Sequence, residues 1–480
     1  MVLDDLRDFM AVLEARGELR RVKAEVDPRL EIAAIADRVM KAGGPALLFE
    51  RVKGSAFPVL INAFGSAGRC ALAVGADEAD DAAERIASLL DLSAYRTWPD
   101  RIMALPKLAP YAFIFPRRTV GGPCREVTEA EPDLRALPVL TCWPGDGGPF
   151  LTLPLVITRH PESGVQNMGM YRMQVFGPRE TGLHMHRHKD GQAIFEAYRE
   201  RGQRMPVAVA LGADPATIYA ATAPLPQGFD ELLFAGFLRK RPVAVTECPS
   251  GLLVPANAEF ILEGYVDPAE PLRREGPFGD HTGYYSAVDD YPVFHLERLT
   301  HRRNPIYPAT VVGRPPMEDC HLAKLTERLF LPVLRLQLPE IVDLDLPLEG
   351  VFHNCAIVSI RKRYPGHARK VMNALWGLGQ MCYQKMIVVV DEDVSPHDYS
   401  QVAWRVFNNI DARRDLVISE GPLDALDHAS PQPRYGARLG VDATRKLPEE
   451  GHGRPWPEDI RLSPEIESLV SERWREYGID

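Results

Sequence analysis

The chain has 480 residues, 45% hydrophobic and 25% charged, with a formal net charge of −10. That length implies two or three domains. The acidic balance argues against nucleic acid as the main partner, because phosphate binding wants a basic surface. No apolar run approaches bilayer-spanning length, and the acidic start MVLDDLRDFM lacks the pattern of a secretory signal.

The chain opens with a helix over residues 3–17, in which Leu6, Phe9, Met10 and Leu13 share a face. EIAAIADRVMKAGG (31–44) reads as a second helix stopped by a glycine pair, ALLFERV (46–52) and PVLINAF (58–64) as strands, and ADDAAERIASLLDL (79–92) as a third helix. These form an N-terminal α+β domain over residues 1–115.

Residues 116–305 change texture. FLTLPLVITR, VQNMGMYRMQVFG, GLHMHRH, MPVAVALG, PVAVTEC and YPVFHLERLTHRR are strand-like and split by Gly, Pro and Asp turns, which suggests a barrel. Asp230 has the character of an N-cap for the helix ELLFAGFLRK. Residues 306–480 alternate helices (321–338, 367–381, 398–410) with strands (350–360, 385–394, 415–421), the order of a layered α/β domain. SPEIESLVSERWREYG closes the chain as an amphipathic helix suited to docking on a partner subunit. The fold class expected is therefore multidomain α+β. The seven cysteines are dispersed, with no CxxC pair, as in a reduced cytoplasmic protein.

Four places carry chemistry-bearing residues. His184, His186 and His188 alternate, so in a strand they share one face. They make either a solvated sheet edge or a divalent-metal site, and the second reading leaves a metal hydrolase open. Arg172 lies among Met170, Tyr171, Met173 and Val175, and a buried guanidinium needs anions, structural or substrate-borne. Asn167 and Arg172 differ by an odd number, so an ideal strand points them to opposite faces; a bulge at Gly169 would repair this. In REGPFGDHTGYY, Glu275 and Asp280 flank a turn. Two carboxylates held close imply that one is raised and able to act as a general acid. Glu231 opens a helix, where the dipole favours a carboxylate or where it can serve as a metal ligand.

Taken with DLRDFMAVLEARGELRRV, AGGPALLFERVKG, LPVLTCWPGDGGPFLT, NMGMYR, RHKDG, LGADPAT, ELLFAGFLR, VPANAEFILEGY, EGPFGDHTGYY and RYPGHARKVMNALW, the chain resembles the UbiD family of reversible decarboxylases over essentially its whole length. The resemblance implies a split-barrel domain binding prenylated FMN with a divalent ion, Mn²⁺ (or Mg²⁺), and K⁺. It implies the metal ligands Asn167, His188 and Glu231, and carbonyl contacts to K⁺ around Ala220, Ala221 and Ala223. Thr152, Met170, Arg172 and Pro224 would line the cofactor, leaving His184 and His186 to packing. The catalytic network would be Arg172, Glu275 and Asp280, with Asp280 delivering the proton where some members carry Glu. The resemblance further implies a homo-oligomer (dimer or hexamer) supplied by a flavin prenyltransferase. The stretches 302–332, 349–381 and DATRKLPEEG most resemble the menaquinone branch, which acts on a 1,4-dihydroxy-6-naphthoate; the ubiquinone branch, acting on 4-hydroxy-3-polyprenylbenzoate, is the alternative. A prenylated substrate would bring a cytoplasmic enzyme into transient contact with the inner membrane.

Overall fold

The computed structural model describes residues 3–91, 109–185 and 190–479. The first helix, Leu6–Ala15, starts where the Asp5 carboxylate accepts the N–H groups of Arg7 and Asp8, and it buries Leu6, Phe9, Met10 and Leu13 as their spacing requires. Helices Glu31–Lys41 and Ala79–Leu90 also form where expected. Strands β1 (Leu19–Val26), β2 (Ala46–Val52) and β3 (Val59–Ile61) pair in that order. β1 was not foreseen, because LRRVKAEV has charged residues on both faces. Tyr307–Pro308, from far along the chain, adds a parallel strand beside β3.

The central region supplies β4 (Arg117–Arg118), β5 (Val127–Thr128), β6 (Phe150–Leu151), β7 (Leu155–Arg159), β8 (Gln166–Met170), β9 (Met173–Gly177) and β10 (Glu180–Gly182). It continues with β11 (Met205–Leu211), β12 (Ala244–Glu247), β13 (Leu253–Pro255), β14 (Phe260–Val266), β15 (Arg273–Glu275), β16 (Asp289–Tyr291) and β17 (Val293–His301). The expected barrel is a curled antiparallel sheet ordered β6-β9-β10-β17-β14-β11-β7-β8, with β5 on β17. Both faces are covered. In β11, Ala208 and Ala210 enter the core containing Phe9 and Phe64, while Val207 and Val209 enter the core containing Phe49 and Phe294. That double burial is why MPVAVAL is apolar throughout instead of alternating.

The helix Glu318–Gln337 bridges to the C-terminal half: Leu322, Leu325 and Leu329 pack with the first core, Leu331 with a third that contains Val358 and Trp376. There β18 is the Tyr307–Pro308 strand, and β19 (Ile341–Asp345), β20 (Cys355–Ile360), β21 (Met386–Asp391), β22 (Leu416–Pro422) and β23 (Tyr435–Asp442) form a mixed sheet, β19-β20-β21-β23-β22. β19, β23 and the helix Asp190–Arg201 were not foreseen. The terminal helix Pro464–Glu472 forms with no buried residue. No helix among the described residues is long and apolar enough to cross a membrane.

Candidate active site

Two expectations about the strands around the site are corrected. Residues 165–177 are not one bulged strand. β8 runs against β7 in unbroken register through Gly169, ends at Met170, and β9 resumes at Met173. Tyr171 and Arg172 occupy the break, which frees Arg172 from strand alternation and resolves the parity conflict with Asn167. Gly169 serves a different purpose, since a Cβ there would lie 2.5 Å from the Tyr171 ring. The second correction concerns the histidines. β10 ends at Gly182, before any of them, so no strand aligns the three. His184 is buried with Nδ1 2.8 Å from Glu275 Oε1 and its ring 4.1 Å from that of Tyr291. His186 and His188 lie outside the described residues. His184 is therefore committed to Glu275, and the hydrolase reading loses one of its three ligands.

Arg172 is the hub. Its Nε donates to Glu275 Oε1 (3.1 Å), Nη1 pairs with Asp280 Oδ2, and Nη2 donates to Ser286 Oγ (3.3 Å). Its guanidinium carbon sits 4.7 Å from the centre of the Phe278 ring. Glu275 is buried and, among the described residues, its Oε2 has no hydrogen-bond partner. Asp280 is buried as well. The 275–286 turn is pinned from outside: Asp146 Oδ1 accepts Gly279 N (2.8 Å), and Gln174 Oε1 accepts Gly276 N (2.7 Å). Asp146, Gln174 and Ser286 escaped the sequence reading, and His184, expected only to pack, anchors Glu275. Asp146, in the quoted GDGGP, and Gln174, two residues after Arg172 in VQNMGMYRMQVFG, both lay inside stretches already singled out.

The expected raised general acid is not Asp280. Burial would push it up, but the hydrogen bond and charge of His281, with the Arg172 charge, hold it well below the usual carboxylate range. Its Oδ1 accepts both His281 N (2.8 Å) and His281 Nδ1 (2.9 Å). Placing Arg172 between the two acids removes the like-charge conflict that the sequence argument relied on.

Thr152, Met170, Tyr171, Arg172, His184, Phe278 and Asp280 border one cavity of about 210 Å³. Thr152 Oγ1 is fixed by accepting Thr310 N (3.0 Å). The second cluster lies across β8. Asn167 Nδ2 donates to Glu231 Oε1 (2.8 Å), and Met168 N to Glu231 Oε2 (2.9 Å). Asp230 caps the Glu231–Arg239 helix as expected, and burial pushes Glu231 up to about 7. Among the described residues no Lys, Arg or His pairs with it. Asn167 borders a cavity of about 290 Å³ with Gln166, Asp190 and Gln227. Ala221 O accepts Met170 N (3.1 Å), so the turn carrying Ala220, Ala221, Ala223 and Pro224 docks at the end of β8, between the clusters. Those carbonyls already take backbone N–H groups: Ala220 O from Ala223 N, Ala223 O from Leu225 N. Each retains its second lone pair.

Three family models match the chain in order. The 3-octaprenyl-4-hydroxybenzoate carboxy-lyase N-terminal domain matches residues 10–90, its Rift-related domain 117–315 and its C-terminal domain 320–443. An uncharacterized protein of Archaeoglobus fulgidus is 51% identical over 99% of both chains. Vanillic acid decarboxylase of Sedimentibacter hydroxybenzoicus, in its closed form, superposes with TM-score 0.86 at 28% identity over 100% of each chain. The UbiD-class enzyme HmfF from Pelotomaculum thermopropionicum, solved with FMN, gives TM-score 0.80 at 30% identity over 97% of this chain and 99% of that one. A dimeric form of HmfF was solved with prenylated FMN. With this fold and this Arg-carboxylate hub, the chain belongs to the UbiD family, the class of prenylated-FMN-dependent carboxy-lyases.

Proposed function

We propose that the protein removes CO₂ from the sp² carbon of a hydroxylated aromatic carboxylate. The observation that carries this is Arg172, held between two buried carboxylates at the wall of an apolar cavity. Loss of CO₂ from such a carbon leaves an electron pair that no side chain can accept; prenylated FMN, when bound, supplies that electron sink. Arg172 orients the substrate carboxylate, since its planar fork matches two oxygens at once. Glu275, anchored by His184, fixes the Arg172 plane. Phe278 and Met170 keep water from the reacting carbon. Asp280 passes a proton to that carbon once CO₂ has left.

The residues fit the cofactor's ions. Asn167 Oδ1 and the Glu231 carboxylate are oxygen donors that suit a hard divalent cation, Mn²⁺ or Mg²⁺. A buried carboxylate without a cationic partner among the described residues also wants one. His188 would complete the set, the carbonyls of Ala220, Ala221 and Ala223 would take K⁺, and Thr152, Met170 and Pro224 would border the flavin.

For the substrate we place 1,4-dihydroxy-6-naphthoate, free or prenylated, of menaquinone synthesis first, on the likeness of residues 302–332 and 349–381. A 4-hydroxy-3-polyprenylbenzoate comes second. The likeness to vanillic acid decarboxylase supports a hydroxylated ring in either case. The test is expression with and without a flavin prenyltransferase, followed by absorbance and mass of the released cofactor and a CO₂-release screen of hydroxynaphthoates and hydroxybenzoates. Prenylated flavin only with the prenyltransferase, and turnover of one ring class, supports the proposal. A flavin-free protein under both conditions overturns it.

A further inference from the structure

Asp280 is not the end of the hydrogen-bonded chain. His281 Nδ1 meets Asp280 Oδ1, and His281 Nε2 lies 3.4 Å from Nε2 of His353, a residue of the C-terminal half. His353 Nδ1 is 2.9 Å from the Val351 carbonyl. A carbonyl only accepts, so Nδ1 of His353 carries the hydrogen, and a neutral His353 turns its lone pair toward His281. A carboxylate also only accepts, so His281 Nδ1 carries a hydrogen too. Nε2 of His353 also lies 3.6 Å from Asp424 Oδ1, but burial favours the neutral ring; with His353 neutral, the hydrogen between the two Nε2 atoms belongs to His281, which is protonated on both nitrogens.

The backbone that delivers His353 is strained. Val351 and Phe352 both adopt left-handed conformations, with φ of 43° and 53°; for a β-branched residue this is a rare state that surrounding structure must enforce. The turn lays Phe352 against the His281 ring at 5.0 Å and 16° while His353 meets its edge. The charged groups around the pair agree. Burial alone would lower His281, but Asp280, with Asp319 and Asp424 behind it, holds it above its ordinary value. Burial pushes His353 down to about 4, against the pull of Asp424 and Asp427.

We propose that His281 is the proton store of the reaction, an imidazolium that reloads Asp280, and that His353 is the positioning residue that keeps it charged. This rests on the decarboxylation proposed above. For each CO₂ lost, the carbon gains one proton. Asp280 passes that proton on after taking it from His281 Nδ1, and His281 is left neutral with Nε2–H toward His353. One proton from water restores the pair. His281 itself borders the first cavity, and a second cavity of about 210 Å³, bordered by Trp143, Tyr284 and Arg314, reaches Asp280; water enters through these. The form with His281 protonated is the active one, so activity is full below the folded His281 value and lost as pH rises through it.

The test compares wild-type holoenzyme with His353→Phe, which keeps the ring and removes the acceptor, and His353→Gln, whose carbonyl can accept again. In His353→Phe the alkaline limb of kcat should move down by about 1–2 pH units, the effect of one charge-assisted hydrogen bond. Its kcat above that limb should fall at least ~10-fold with KM roughly unchanged; His353→Gln should recover the wild-type limb. Nitrogen NMR of imidazole-labelled protein at neutral pH should show both His281 nitrogens protonated in wild type. That readout needs no turnover, so it decides the imidazolium even if the substrate class is wrong or His353→Phe does not fold. A neutral His281 in wild type, or an unmoved limb in His353→Phe, overturns the proposal.

Discussion

Glu231 Oε1 and Asn167 Nδ2 lie 2.8 Å apart, and the other oxygen of the same carboxylate takes the N–H of Met168. One buried acid at a helix start thus clamps the edge strand β8 at two adjacent residues. Among the described residues only hydrogen-bond donors hold it, which leaves its charge for a cation to satisfy.

Replacing Glu231 with Ala should therefore strip the divalent ion. Elemental analysis should fall to background, and the flavin should wash out on desalting. Dialysis of wild type against a chelator should do the same. The variant should also lose about 1–3 kcal/mol of stability through the unpaired Met168 N–H and Asn167 amide. Full metal content in Glu231→Ala would remove Glu231 from the ion site.

Arg172→Lys keeps the charge but loses the fork that reaches Glu275, Asp280 and Ser286 together. We expect kcat to fall at least ~100-fold, about 3 kcal/mol of barrier, with flavin content unchanged. A loss under ~10-fold would show that a point charge suffices.

Gly169→Ala forces a methyl group to 2.5 Å from the Tyr171 ring. Overpacking of this kind costs about 1–3 kcal/mol. Gly177→Ala, with nothing among the described residues within 4 Å of its added carbon, should cost under about 0.5 kcal/mol. Equal denaturation midpoints for the two variants would refute the packing role.

His397 donates to Asp345 Oδ1 (2.9 Å) and Asp343 Oδ2 (3.1 Å), bonds that raise it to about 9. A raised folded value means that the stabilisation is complete below the unfolded value of 6.5 and lost as pH climbs through about 9. Tm of wild type should exceed that of His397→Ala below pH ~6.5, and the curves should converge above pH ~9. His397 is half-exposed, so the gap should stay under about 1 kcal/mol. Parallel curves would exclude His397 as the source.

Ile466, Leu469 and Trp474 are exposed on the terminal helix and the turn after it. We expect them to cover a second copy of the chain. Truncation after Leu462 keeps Asp459, which Arg405 and Arg445 hold, and should lower the mass found by light scattering. An unchanged mass would assign the oligomer contact elsewhere.

The sequence was most legible where one face of an element is buried and the other is wet. Leu6, Phe9, Met10 and Leu13 stated their helix outright, and Asp230 its cap. It was least legible where charge lies on both faces, as in β1, or where a buried charge and a glycine interrupt a doubly buried strand, as Glu263 and Gly264 do in β14. The Arg172–Glu275–Asp280 hub was expected as a set. Its electrostatics were not, because the guanidinium enters between the acids and His281 binds the second one. No spacing in the chain announces that His281, at the turn, will touch His353, which is 72 residues further on and arrives through a strained turn.

The strand Tyr307–Pro308 lies beside β3 and takes part in its hydrogen bonding. As the chain leaves the ribosome, the first sheet thus keeps an open margin until the whole central region has been synthesised. A fragment cut near residue 115 would present that margin to other molecules as a sticky ribbon. The first hundred residues are accordingly a poor unit for excision or for grafting onto another enzyme, and their sheet is completed only after the central region has been made.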